Sequence, residues 1–395
     1  MRIAVYPADA GGCGHYRLIW PAEAIARKYP DVEVLIGKDA PTIKVAWSEE
    51  FKDDPNGMAP YWVQAVDADV DADVVVMQRP LHRQFTQVYE ILRRKGVRVC
   101  VDLDDNFDRV DTKNIAYFAT QPNWVTKAEL EQWIEHMRRD ELVTKKSWDK
   151  NWFHTPHYEG CVHGANIRRA LEHADMLTVS TPHLLQHYGR IPAAAQLIRN
   201  TLPPHALKLG QEKIDTPHEG PVRVGWTGSV QTHPQDLEEI GGAMLELRRR
   251  VNFELHIVGL GTGIFEKWGV SPDTHSGWKP ISEYHLAYQH LDVALCPLHD
   301  DQFNHSKSWL KPLEAAGVGA VPVLSPTPEY RVINDMGIGV IAKRPREWVS
   351  KVARLIEDAE HRRDLQVAGY ATAMKHGTDE YAKIWFQAWT GKEQS

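Results

Sequence analysis

Phe303-Asn304-His305-Ser306-Lys307-Ser308-Trp309-Leu310-Lys311-Pro312-Leu313-Glu314-Ala315-Ala316-Gly317 leads within a few residues to Val321-Pro322-Val323-Leu324. A polar loop gives way to a helix and then to a short apolar strand. Pro312 suits a first helical turn, so Lys307 falls in the loop entering the helix, while Lys311 and Glu314, three apart, share a face. Outward from this segment, residues 222–226, 254–258, 293–297 and 339–342 are further β-branched runs, each readable as a buried strand. The same rhythm occupies the N-terminal half, with strands expected at 2–6, 32–36, 74–77, 97–102 and 176–180 and helices at 20–28 and 85–95 between them. Strands alternating with helices predict parallel sheets with crossover helices. The expected fold class is therefore α/β, with two Rossmann-like domains facing across a cleft.

Length supports two domains, because 395 residues exceed one ordinary core. The expected boundaries are 1–205 and 206–375, with a final helical segment over 376–395 and a Pro-rich linker near 200–218. Residues 108–164 break the rhythm. They are rich in Trp, Lys, Glu and His, and Leu130, Trp133, Ile134 and Met137 recur at helical spacing, which predicts a mostly helical insertion over the first domain. Near the C-terminus Tyr381, Ile384, Trp385, Ala388 and Trp389 form a helix face too apolar to be left in water.

Composition narrows the function classes. No apolar run approaches a membrane span, and the first residues read as a strand rather than a signal peptide, so a cytoplasmic location is expected. The four cysteines contain no CxxC pair, which suggests neither a disulfide framework nor a zinc site. A net charge of −7 gives no global attraction to nucleic acid or anionic lipid.

In open parallel sheets ligands bind beyond the carboxyl ends of the strands, so the residues there carry the chemistry. After the first strand, Gly11-Gly12-Cys13-Gly14-His15-Tyr16-Arg17 opens a helix, and Gly12 and Gly14 would let the backbone approach a ligand at its N-terminus; a tight strand-to-helix turn is the plainer alternative. The fourth strand runs into Asp102-Leu103-Asp104-Asp105. Asp102, Asp104 and Asp105 could orient acceptor hydroxyls, serve as a base or bind a divalent cation, or form a solvated helix-capping loop. The second domain opens with Gly225-Trp226-Thr227-Gly228-Ser229, where Gly228 and Ser229 could cradle a diphosphate while His233 reaches a transferred sugar or the phosphate; an incidental loop histidine is the plainer alternative. In the opening segment Lys307 and Lys311 could meet that diphosphate, and Glu314 could accept hydrogen bonds from a ribose diol; a surface Lys311–Glu314 ion pair is the alternative.

At these residues the chain resembles the family-4 glycosyltransferases of GT-B fold, and more closely bacterial and phage relatives with an F-N-x-x-K-S-x-x-K-x-x-E pattern. The resemblance also takes in Ala174-Asp175, Ser180-Thr181-Pro182 and Ile198-Arg199-Asn200. It implies that the C-terminal domain holds a nucleotide diphospho-sugar, with Glu314 on the ribose, Lys307 and Ser308 facing the diphosphate, and Gly277-Trp278-Lys279 along the nucleobase. A second family glutamate, on the donor sugar, would fall at Ser306, leaving Asp300, Asp301 or Asn304 to take its place. The resemblance further implies a final helix crossing back to the N-terminal domain and retention of anomeric configuration.

The expected activity is sugar transfer from that co-substrate to an acceptor hydroxyl, with no cofactor required and a divalent cation optional. Helix N-termini and lysines can stabilise a leaving diphosphate without metal. The acceptor is left open between a virion protein, a modified DNA base and a glycan, and a phage-encoded protein would work in the host cytoplasm. A sugar-nucleotide epimerase of the same architecture and an inactive nucleotide-sugar-binding module are the rival readings.

Overall fold

A computed structural model describes residues 1–47, 63–68, 70–81, 84–110, 163–230, 235–260 and 263–392. The chain divides into two compact units, one formed by Met1–Arg199 with Ala382–Ser395 and the other by Asn200–Tyr381. Most of the expected insertion, from 111 to 162, lies outside the described residues. Among the described residues no helix is long and apolar enough to cross a membrane.

In the first unit β1 (Arg2–Tyr6), β2 (Glu33–Ile36), β5 (Val74–Gln78), β6 (Arg98–Leu103), β7 (Met176–Val179) and β8 (Ala195–Leu197) form one sheet, with β3 (Lys44–Trp47) and β4 (Val63–Asp67) as a separate antiparallel pair. The order is β2-β1-β5-β6-β7-β8 and every pairing is parallel. Central strands of such sheets are covered on both faces, which explains the unbroken apolar runs. Ile3, Ala4, Val5, Val75 and Val76 are wholly buried. The chain leaves β1 for β2 on one side and returns to β5 on the other, so the order reverses between β1 and β5.

The second unit repeats the plan. Its strands β9 (Arg223–Ser229), β10 (Glu254–Leu260), β11 (Thr274–Ser276), β12 (Val293–Cys296), β13 (Val321–Leu324) and β14 (Val340–Ile341) pair in the order β11-β10-β9-β12-β13-β14, again all parallel. Here the order reverses between β9 and β12.

Two expectations need correction. The stretch 200–218, expected as a linker, contains the helix Pro204–Asp215, seated against the core of its unit. A Cβ on its Gly210 would lie 2.0 Å from the Gly317 carbonyl oxygen, so only glycine permits that approach. In the helix Thr378–Thr390, Trp385 and Trp389 are fully buried as their face requires, but Ile384 is exposed. The Arg17 guanidinium lies 4.8 Å from the centre of a Trp385 ring, and Arg98 Nε donates to the Trp389 carbonyl at 2.9 Å.

Candidate active site

The second unit's site is built at its switch point, where β9 and β12 part. Gly228, next to the end of β9, has φ +149°, a backbone state that favours glycine. A Cβ there would lie 3.1 Å from Lys311 Nζ and 2.9 Å from the Trp226 indole. Lys311 belongs to the helix Leu310–Gly317. Its ammonium stands 5.5 Å from the centre of a Trp226 ring and makes no ion pair among the described residues. A ring face positions a cation without cancelling its charge. No Lys311–Glu314 pair forms, so the surface-pair alternative fails. Lys307, just before the helix, is likewise held over an aromatic ring, 4.5 Å from the centre of Phe303.

Glu314 is 3% exposed. The Tyr284 hydroxyl lies 3.5 Å from its Oε2, within reach of donation, and 3.0 Å from Thr227 Oγ1. A buried carboxylate needs such partners to offset its lost hydration. The Ser308 hydroxyl accepts from Asn200 Nδ2 at 2.9 Å and from the Leu310 amide at 3.4 Å, so it braces the start of the helix. Asp236, buried beside these residues, is pushed up to about 6 by burial, against the hydrogen bonds it accepts and the Lys311 and Lys307 charges. It accepts from the His299 amide at 3.0 Å and from Asn304 Nδ2 at 2.9 Å, clipping the loop after β12 to the segment after β9. The Asn304 Oδ1 is buried without a hydrogen-bond partner among the described residues. Asp300 points outward, its side chain 81% exposed, and pairs with His305 at 2.5 Å. Trp278, two residues past β11, is 58% exposed. Ser229 closes β9 and is half-buried, while His233 lies outside the described residues.

The first unit tells a different story from its sequence. Gly12 and Gly14 form the first turn of the helical stretch after β1, where Asp9 Oδ1 already accepts from the Gly11 amide at 2.8 Å and from the Gly14 amide at 3.1 Å. Gly14 is glycine because a Cβ would sit 1.9 Å from the Asp9 carbonyl oxygen. Asp102 is not poised at a strand end. It lies inside β6, fully buried, taking Arg17 Nε at 3.0 Å, Arg17 Nη2 at 2.8 Å and the Thr178 hydroxyl at 2.6 Å. Burial raises its pKa, with Arg17 and Thr178 pulling it back. Asp104 and Asp105 do stand past the strand, yet Arg79 binds both, Asp104 at 2.6 and 2.7 Å and Asp105 at 3.3 Å. That guanidinium offsets one of the carboxylate charges and occupies both oxygens of Asp104, which a divalent cation would otherwise use. Among the described residues no cluster of three His, Cys, Asp or Glu side chains is placed to hold a metal.

Arg79 is the only non-glycine described residue with positive φ, at +53°. It also lines a cavity of 650 Å³ at the first unit's switch point, between the carboxyl ends of β1 and β5.

Residues 242–383 match a family model described as glycosyl transferase-like. Less than half of the chain is matched. Sequence comparison with curated proteins finds no match. Among solved structures the chain is similar to sucrose-phosphate synthase from Thermosynechococcus elongatus, with TM-score 0.56, 13% identity, and 98% of this chain and 97% of that one covered. It is also similar to Anabaena HepE, solved with UDP and glucose, at TM-score 0.57 and 9% identity over 99% of this chain and 100% of that one. An alpha-glucosyltransferase solved with UDP aligns over 99% of this chain and 100% of its own, at TM-score 0.55 and 10% identity. At such identities the likeness shows the fold, two Rossmann-like units in one chain as in GT-B proteins.

The structure thus brings together Gly228, Asn304, Lys307, Ser308, Lys311 and Glu314 of the expected donor residues. Sequence reasoning missed Tyr284, Asp9, Arg17 and Arg79. The first two partnerships of Arg17 and Arg79 span 85 and 25 residues, and only the count of carboxylates after the fourth strand hinted that cations must answer them.

Proposed function

We propose that the protein is a glycosyltransferase that moves a sugar from a nucleotide diphospho-sugar to an acceptor hydroxyl. The observation that carries this is the Lys311 ammonium at the second unit's switch point, in no ion pair among the described residues and on the same helix as buried Glu314. A cation in no direct ion pair, beside a glycine that admits close approach, suits a diphosphate. Glu314, backed by Tyr284, suits a vicinal diol such as that of a ribose. The match over residues 242–383 and the UDP bound in structures of the same fold support the same assignment.

In the proposed reaction Lys311 and Lys307 stabilise the negative charge that builds on the diphosphate as the glycosidic bond breaks. The Asn304 Oδ1 is an acceptor for a hydroxyl of the transferred sugar, in the role the family gives to a glutamate where this chain has Ser306. Exposed Trp278 offers a face for the nucleobase. Membership of family 4 and retention of configuration rest on the sequence resemblance. The test is release of nucleoside diphosphate from UDP-, GDP- and ADP-sugars, in wild type and Lys311→Ala, with and without pooled hydroxyl acceptors. Acceptor-dependent release that falls at least tenfold in the variant supports transfer. Turnover of the sugar nucleotide without an acceptor marks an epimerase instead, and binding with neither transfer nor hydrolysis marks an inactive module.

A further inference from the structure

The 650 Å³ cavity of the first unit lies where an open parallel sheet places its ligands, beside the loops that leave β1 and β5. Its volume suits a compact ligand of one or two rings. The walls are largely apolar, with Pro7, Pro41, Ile43, Met77, Leu81 and Phe85 among them. Of the polar side chains that line it, only Lys38 and Thr42 carry no hydrogen bond among the described residues, and the others are committed. The Tyr6 hydroxyl donates to the Pro41 carbonyl at 2.7 Å. Both ends of the Gln78 amide are used, its Oε1 accepting from the Ala8 amide at 3.0 Å and its Nε2 donating to the Cys13 carbonyl at 3.1 Å. The Arg79 guanidinium is held by Asp104. A bare saccharide needs several uncommitted donors and acceptors, because each hydroxyl that leaves water unpaired costs binding free energy. Proline and phenylalanine faces instead suit a flat ring. The left-handed backbone of Arg79, on the cavity wall, is strain of the kind that collects at ligand clamps.

We propose that this cavity receives an aromatic group, and that the acceptor of the transferred sugar presents its hydroxyl on an aromatic body rather than on a bare saccharide. The word acceptor rests on the glycosyltransferase assignment; the chemistry of the cavity does not.

The test is calorimetric titration of the whole protein with 4-nitrophenyl glucoside, methyl glucoside and octyl glucoside, with UDP, GDP and ADP titrated separately. The nitrophenyl compound is expected to bind roughly tenfold or more tightly than the methyl one, and no more weakly than the octyl one. Ile43→Trp, which fills the cavity from a partly buried wall position, is expected to remove that preference; Leu81→Trp repeats the test from the other side should the first variant fail to fold. Equal affinity for the methyl glucoside, tighter binding of the octyl glucoside, or an unchanged preference in the filled variants overturns the proposal. Aromatic binding without nucleotide binding would keep the cavity's chemistry and retire the glycosyltransferase assignment, whereas nucleotide binding without aromatic preference would do the reverse.

Discussion

Asp102→Ala should damage folding before it damages chemistry. The substitution strips a fully buried Arg17 of two charge-assisted hydrogen bonds, at 3.0 and 2.8 Å, and leaves the Thr178 hydroxyl only the longer bond to the Val101 carbonyl, at 3.4 Å. Removing one partner of a buried ion pair costs about 3–5 kcal/mol, because the other charge stays in the low-dielectric interior. Arg17 would keep the Ile198 carbonyl, 2.6 Å away, and the Trp385 ring, which places the expected cost near the lower end, about 3 kcal/mol. For a unit of about 200 residues this lowers the melting temperature by roughly 6–12 °C. The assay is a thermal melt followed by circular dichroism. Taking both charges away together, as Arg17→Met with Asp102→Leu, should recover most of the loss, since no charge is then stranded. A variant that melts within a degree or two of wild type, yet loses activity, would refute the argument and return Asp102 to the chemistry.

Acid should weaken the second unit through His285, which burial and the neighbouring His205 lower to about 3 from an ordinary 6.5. The folded state resists a proton that the unfolded chain accepts, so this contribution is complete above about pH 6.5 and shrinks as pH falls toward 3; about 2 kcal/mol should be gone at pH 5, read from urea midpoints and flattened in His285→Gln. Gly14→Ala should destabilise the first unit by more than about 2 kcal/mol because its Cβ meets the Asp9 carbonyl, whereas Gly12→Ala, with open space around its Cβ, should be neutral or slightly stabilising in the same melts. Gly228→Ala should cost about 1–3 kcal/mol in backbone strain and crowd Lys311, so a melt and a nucleotide titration should both show loss.

Much of the sheet architecture was legible because both faces of a parallel strand are buried and its apolar run is continuous. The strands that escaped notice lack that signature. Edge strand β11 is Thr-His-Ser, and β8 is three half-buried residues. The helix Pro204–Asp215 was hidden by Pro203-Pro204, read as breakers, although Pro204 occupies the first turn, where no amide partner is required. A one-residue difference at the end of β6 decides Asp102. The strand expected at 97–102 would place it on the rim, whereas the strand Arg98–Leu103 places it in the interior. The donor-side segment could be read because its loop, helix and carboxylate are contiguous. Partners brought from distant strands, Arg17 and Arg79 above all, leave no local pattern.

The central claim is that Lys311 and Glu314 mark a nucleotide-sugar site, and it is tested most directly by a thermal-shift panel of nucleoside diphosphates and nucleotide sugars on wild type and Glu314→Ala. A ligand that binds only the folded state stabilises it by about 2.7 kcal/mol at a hundredfold excess over its Kd. The account predicts that one nucleotide family raises the melting temperature of the wild type and that Glu314→Ala, itself folded, loses the rise. No shift with any nucleotide, or a shift that survives the substitution unchanged, would contradict it.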